Sequence, residues 1–278
     1  MRKHIRGIDH VVVLVRDLER ARVTYERLGF TLTPRGYHTL GSQNHCIVFG
    51  RDYVELLAVP KPHPAMQYFT DFLAAGEGLG AVALATDDAE SAQRELVGAG
   101  VTADPPLDFS RPVELPEGAR DAAFRIVQLS PADTPGCRTF LCQHFTPELV
   151  WRDEYRAHAL GATGIAALGI IVEDPRSAAS GYARLFDVKP SRVAEGLLVE
   201  TGSAPIALGS RAKVGHRLNG VALPVRARPL VAALFIRVAD RSRAARALER
   251  GGFSPVAFAD GSFAIGADQA HGVALVFG

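Results

Sequence analysis

Four stretches of the chain share one pattern of apolar and polar positions. Residues 8–30 read IDHVVVLVRDLERARVTYERLGF, and residues 79–101 read LGAVALATDDAESAQRELVGAGV. Residues 165–188 read IAALGIIVEDPRSAASGYARLFDV, and residues 231–253 read VAALFIRVADRSRAARALERGGF. Each opens on a short apolar run rich in Val, Ile and Ala, the signature of a strand. An Asp follows in every copy: Asp17, Asp88, Asp174 and Asp240. Between an apolar run and a helical pattern, an Asp caps the helix, because its carboxylate accepts from the free N–H groups of the first turn. Leu18, Ala21, Tyr25 and Leu28 then recur at helical spacing, as do Ala92, Leu96 and Ala99. Gly29, Gly100 and Gly252 supply the expected stop in three copies, whereas the third has the weaker Phe186–Asp187–Val188.

Short strands follow each helix. The pattern predicts them at 31–34, 45–50 and 53–59, with Arg51–Asp52 as a tight turn, and at 122–129 and 138–145. In the later copies it predicts 196–200 and 204–209, then 262–266 and 272–277. The expectation is an α+β chain of four βαβββ modules, paired into two half-barrels. The capping Asp positions lie 71, 86 and 66 residues apart. The wide middle interval contains TPELVWRDEYRAHALGAT, residues 146–163, read as a connector with one short helix. Residues 1–147 then form a first domain, 148–163 the connector and 164–278 a second domain. A helix is expected at 65–75, with 76–80 as a link between modules. Residues 104–121, with several prolines, read as a long loop. Such loops are uncommon unless functional, so this one is expected to cover a pocket.

Composition narrows the function class. With 47% hydrophobic and 22% charged residues the chain is globular rather than disordered. Thirty-one basic and 30 acidic residues leave a net charge of +1, so nothing points to nucleic acid or a membrane surface. The Arg-rich stretch 241–250 reads as the solvated face of a helix. No run reaches the roughly 18–20 apolar residues of a membrane span, and no signal peptide is expected. Three cysteines without a C-x-x-C pair suit a reducing compartment, so a cytoplasmic location is expected and a zinc cluster is not. Phosphate-loop, dinucleotide and nucleophile-elbow motifs are absent. The expected partner is a small-molecule substrate. Four modules can pair within one chain, so either a monomer or a homodimer is open.

The strand–helix–three-strand unit, with IDHVVVLVRDLERARVTYERLGFTLTPRGYH, NHCIVFGRDYVELLAV and FLCQHFTPELVW, resembles the vicinal oxygen chelate superfamily. Within it the chain is similar to the bacterial glyoxalase-like domain proteins, on the glyoxalase, bleomycin resistance and extradiol dioxygenase fold. The resemblance implies that two modules enclose a metal or ligand, with metal ligands on the first and last strands of each. His10 and Glu55 take those places in the first copy. In the second copy Ala81 matches His10, and the last strand offers Gln143 or His144. Only one of these neighbours faces inward, since strand residues alternate. Copies three and four have Ala167 and Ala233 and no matching carboxylate.

The implied metal set is His10, Glu55 and His144, suited to Fe, Mn, Zn or Ni. The implied activity is a divalent-metal-dependent lyase or isomerase on an oxygen-chelating substrate. The alternatives are a metal-free small-molecule-binding or resistance protein and an Fe(II) ring-cleavage dioxygenase. Glu55, His38 and His45 are the candidate catalytic groups, the histidines for proton transfer. Plainer readings stand beside these. His10 also fits a strand-start hydrogen bond, Glu55 an outward strand position, His144 an exposed strand end, and His38 and His45 an exposed hairpin. Asn44 suits a turn or a substrate amide contact. Cys46 and Cys142 read as core, and Trp151 and Tyr155 as packing or a pocket rim. Any chemistry is expected within residues 1 to about 150.

Overall fold

A computed structural model describes residues 1–39, 41–61, 63–113, 118–227 and 229–278. The first module runs β1 (Ile5–Leu14), α1 (Leu18–Arg27), β2 (Gly36–Tyr37), β3 (Gln43–Val48) and β4 (Tyr53–Ala58). Helix α2 (Gln67–Ala75) leads to the second: β5 (Gly78–Thr86), α3 (Ala89–Gly98), β6 (Leu107–Val113), β7 (Arg120–Gln128) and β8 (Arg138–His144). The third is β9 (Ala162–Ile171), α4 (Pro175–Phe186), β10 (Ser191–Val193), β11 (Gly196–Val199) and β12 (Ile206–Gly209). After α5 (Arg211–Arg217) come β13 (Leu230–Val238), α6 (Arg241–Arg250), β14 (Val256–Ala257), β15 (Phe263–Ile265) and β16 (Ala274–Phe277). No described helix is long and apolar enough to cross a membrane.

The four Asp caps are present. Asp17 accepts from Arg20 N, Asp88 from Ser91 N, Asp174 from Arg176 N and Ser177 N, and Asp240 from Arg243 N. Where the third copy lacks a glycine, Asp187 itself adopts the left-handed conformation at φ +54° and ends α4. Two eight-stranded sheets result, ordered β2-β3-β4-β1-β5-β8-β7-β6 and β10-β11-β12-β9-β13-β16-β15-β14. In both, first strands of consecutive modules pair antiparallel at the centre, and each pairs parallel with its own module's last strand.

Three expectations need correction. Residues 104–121, of which 114–117 lie outside the described residues, are not one long loop, because β6 and the start of β7 lie within them. Pro112 is tolerated because β6 is the sheet's edge, where one missing N–H costs no ladder bond. The link at 76–80 is shorter than expected, since β5 starts at Gly78. No strand forms at 31–34, where β2 comes later, at Gly36–Tyr37.

One core spans both sheets. Ile8, Tyr25, Leu28 and Leu141 of the first share a cluster with Leu168, Tyr182, Leu234 and Leu248 of the second. Tyr182 Oη donates to Pro135 O at 2.9 Å, and Gly251 sits so close to α1 that a Cβ there would lie 1.9 Å from Arg27 O. The other faces of the two sheets differ. On the second, Val214, Leu218, Leu223 and Phe258 pack onto Ala232, Ala264, Ala274 and Val276. On the first, α2 lays Phe69, Phe72 and Leu73 on Val12, Leu14, Leu57 and Ala81. The connector lays Leu149, Val150 and Trp151 against Tyr53, Phe124 and Cys142. Between these two covers a cavity remains.

Candidate active site

The cavity measures about 330 Å³ and is lined from β1, β3, β4, β6, β7, β8 and α2. Phe69, Phe109, Phe124 and Phe140 wall it, and His10, His38, Asn44 and Glu55 supply polar groups. Residues 104–121 were expected to cover a pocket, and Leu107, Phe109 and Arg111 of β6 do line it.

His10 is positioned by an irregularity in β1. The β1–β5 pairing shifts register between Ile8 and His10, the mark of a β-bulge. Asp9 and His10 are both buried there, and His10 Nδ1 donates to Asp9 Oδ1 at 2.6 Å. His144 Nε2 donates to the same oxygen at 3.1 Å. Burial works to raise the Asp9 carboxyl, but the two imidazole hydrogen bonds outweigh it and hold Asp9 below the usual carboxylate range. With Nδ1–H given to an ionised Asp9, the lone pair of a neutral His10 sits on Nε2. That atom is 4.0 Å from Glu55 Oε2, and Tyr53 stacks on the ring at 4.3 Å between centroids.

Glu55 is buried on β4 and held by Asn44, whose Nδ2 donates to Oε1 at 2.5 Å. His38 Nε2 lies 3.8 Å from the same oxygen, and its Nδ1 meets Ser42 Oγ at 2.7 Å. Burial lowers the pKa of His38, which favours the neutral ring.

The structure separates the other candidates. His144 is the inward neighbour, set edge-on to Phe124 and tilted against Trp151. Gln143 faces the opposite way, accepting from Ala89 N and donating to Asp87 O at the start of α3. His144 is not turned to Glu55, however: its Nε2 meets Asp9 and, at 3.6 Å, Cys142 Sγ. Asp9, Cys142 and His144 are a possible metal-binding group, with ligand atoms within 4.8 Å of one another. Burial pushes the Cys142 thiol well up, so an ion held here would have to displace the thiol proton and the two imidazole hydrogen bonds to Asp9. Cys46 is likewise buried with its thiol pushed up to about 12, and both behave as core residues.

His45 does not reach the cavity. It alternates with Asn44 on β3 and so faces the other side, where Nδ1 donates to Thr33 O at 2.8 Å. Asp9 was missed because only the bulge turns it to His10's side.

Strand register identifies the equivalent places in every module. His10 pairs with Tyr53, and Glu55 follows two residues on. Ala81 pairs with Arg138, so Phe140 is the counterpart of Glu55. In the second sheet the same four places hold Ala167, Ala207, Ala233 and Val276. The second half therefore carries no side chain able to ligate at them, and the first half keeps two.

The family model for a glyoxalase-like domain matches residues 8–186. A hypothetical protein from Staphylococcus aureus superposes with a TM-score of 0.69 at 14% identity, covering 98% of both chains. A mutant of 4-hydroxymandelate synthase from Streptomyces coelicolor gives 0.59 at 15% identity, over 92% of this chain and 77% of that one. A xylose isomerase-like TIM barrel/4-hydroxyphenylpyruvate dioxygenase fusion protein gives 0.60 at 13% identity, over 98% and 49%. At such identities the likeness is one of fold. No curated protein matches the sequence.

Proposed function

The chain belongs to the glyoxalase-like domain family of the vicinal oxygen chelate superfamily, and on that premise we propose that it is a metal-dependent enzyme of the isomerase or lyase type. The observation that carries this reading is the Asp9–His10 hydrogen bond, which aims His10 Nε2 toward Glu55 inside a cavity walled by phenylalanines. A carboxylate that holds the far nitrogen of an imidazole is the usual support of a metal-ligating histidine. A buried glutamate with a single amide partner also needs further compensation. His10 and Glu55 would hold the ion, which would supply a Lewis acid for neighbouring substrate oxygens. Asn44 orients the Glu55 carboxylate. His38 moves the proton: with Nδ1–H donated to Ser42 Oγ, its neutral Nε2 carries the lone pair and faces the cavity. The phenylalanine walls exclude water from the reacting atoms.

The test is metal content of protein purified without chelator, alongside His10→Ala and Glu55→Ala. One ion per chain is expected in the wild type, and at least a tenfold loss in either variant. Wild-type protein without metal, showing no thermal shift with Mn, Fe, Ni or Zn, refutes the reading.

A second reading, a metal-free small-molecule binder, draws on Ala81 and Phe140. These leave two of four equivalent places without a ligand, and Phe140 packs edge-on against His10 at 5.7 Å. Stabilisation by organic ligands alone would favour it. A ring-cleavage dioxygenase has support in the fold, but His144 is engaged by Asp9 rather than turned toward Glu55.

A further inference from the structure

Two cations line the cavity, Arg111 and Arg138, and neither has a part in that chemistry. Resting on the reading that this cavity takes a small substrate, we propose that Arg138 anchors a carboxylate, so that the substrate is an apolar, ring-bearing carboxylic acid.

Arg138 stands at the start of β8 and is partly buried. Its guanidinium is fixed before any ligand arrives. Nε donates to Gln128 Oε1 at 2.7 Å, and the group lies over the rings of Tyr68 and Phe69 at 5.5 and 5.6 Å. Among the described residues no carboxylate forms an ion pair with it, Asp104 acting only through its field, and its two Nη groups make no hydrogen bond. A structural role would explain the stacking and the Gln128 bond. It would not explain why the planar fork, the part that grips a carboxylate through two hydrogen bonds, is left over at an apolar cavity. Among the described residues the lining holds two guanidinium groups, Arg111 and Arg138, against the single carboxylate of Glu55. An anion redresses that balance, and partly buried donors without acceptors favour one.

Register sets the reach. Val12 pairs with Glu55 on one side and Ala81 on the other, and Ala81 pairs with Arg138. Arg138 and Glu55 thus stand level, three strand spacings apart, or about 14 Å along the sheet. The concave face and the long arginine side chain shorten that gap. A carboxylate on Arg138 directs the rest of the ligand along the sheet toward His10 and Glu55, past Phe140, which stands level with His10. The rest of the ligand lies against Phe69, Phe109 and Phe124. At about 330 Å³ the cavity is near the lower end for small-molecule sites, which fits an acid with one ring.

The test compares phenylacetate with its neutral isostere phenylacetamide by titration calorimetry, using chelator-treated wild type, Arg138→Gln and Arg138→Lys. Wild type should prefer the acid by about ten- to a hundredfold, the range of a charge-assisted hydrogen-bond pair. Arg138→Gln should bind both probes alike, and Arg138→Lys should recover part of the preference. Equal binding of both probes by the wild type, or no saturable binding of phenylacetate at millimolar concentration, overturns the proposal, even if Arg138→Gln does not fold. An undiminished preference in folded Arg138→Gln overturns it as well. Because the protein is stripped of metal, the outcome is independent of the metal test on His10 and Glu55.

Discussion

Asp52 offers a stability prediction that can be worked from the structure. It lies in the turn between β3 and β4, 8% exposed, and accepts from Ile165 N of β9 at 3.0 Å. Burial raises its pKa from 3.8 to about 6, against the lowering effect of the Ile165 hydrogen bond and the Arg237 charge. The folded protein therefore holds this proton more tightly than the unfolded chain. Stability from this group is fully present below about pH 4 and is lost as pH rises through about 6. A shift of about two units corresponds to about 3 kcal/mol. In Asp52→Asn the amide oxygen still accepts from Ile165, but no charge is buried. Urea unfolding with linear extrapolation should find the variant close to wild type at about pH 4, and more stable by up to about 3 kcal/mol at about pH 8. A variant that is less stable by the same amount at both pH values would refute the reasoning. It would mean that Arg237 compensates the carboxylate fully.

Three further outcomes follow from the same contacts. Asp9→Asn should leave the far-UV circular dichroism intact and weaken metal binding by about ten- to a hundredfold in calorimetry, because His10 exchanges an ionised acceptor for a neutral amide that no longer enforces its tautomer or raises its basicity. Gly36→Ala should disturb the site without touching it directly: its Cβ would fall 2.2 Å from Asn44 Oδ1, which must move and release Glu55. Loss of metal, with about 1–3 kcal/mol of destabilisation, is expected there. Gly251→Ala meets the Arg27 carbonyl of α1 at 1.9 Å, a backbone clash that cannot relax by rotation. A drop of about 1–3 kcal/mol in denaturant unfolding is expected, with phenylacetate binding at saturation unchanged.

The module was legible because its signals act locally. A capping Asp, the helical spacing after it and a glycine stop each work within a few residues, so the four copies could be read without knowing what packs on what. His10 and Glu55 were legible for a related reason: the place of a residue within a strand tells which face it takes, once the module is recognised. Residues 107–113 were opaque because an edge strand is half exposed and admits proline, so its alternation of Leu107, Phe109 and Arg111 looks like a loop.

What the sequence could not decide depends on register between distant strands. The register shift between Ile8 and His10 sets Asp9 beside His10, and His144 meets Asp9 instead of Glu55. Alternation on β3 sends His45 away from the cavity, while Asn44 is turned into it. Arg138 reads as an ordinary arginine at a strand start. Only the pairing of Val12, Ala81 and Arg138 across three strands brings it level with Glu55. The chain alone thus determined the four-module scaffold and which half retains polar groups. The tertiary structure decided which of those groups meet, because a one-residue change in strand register reverses the face every side chain takes.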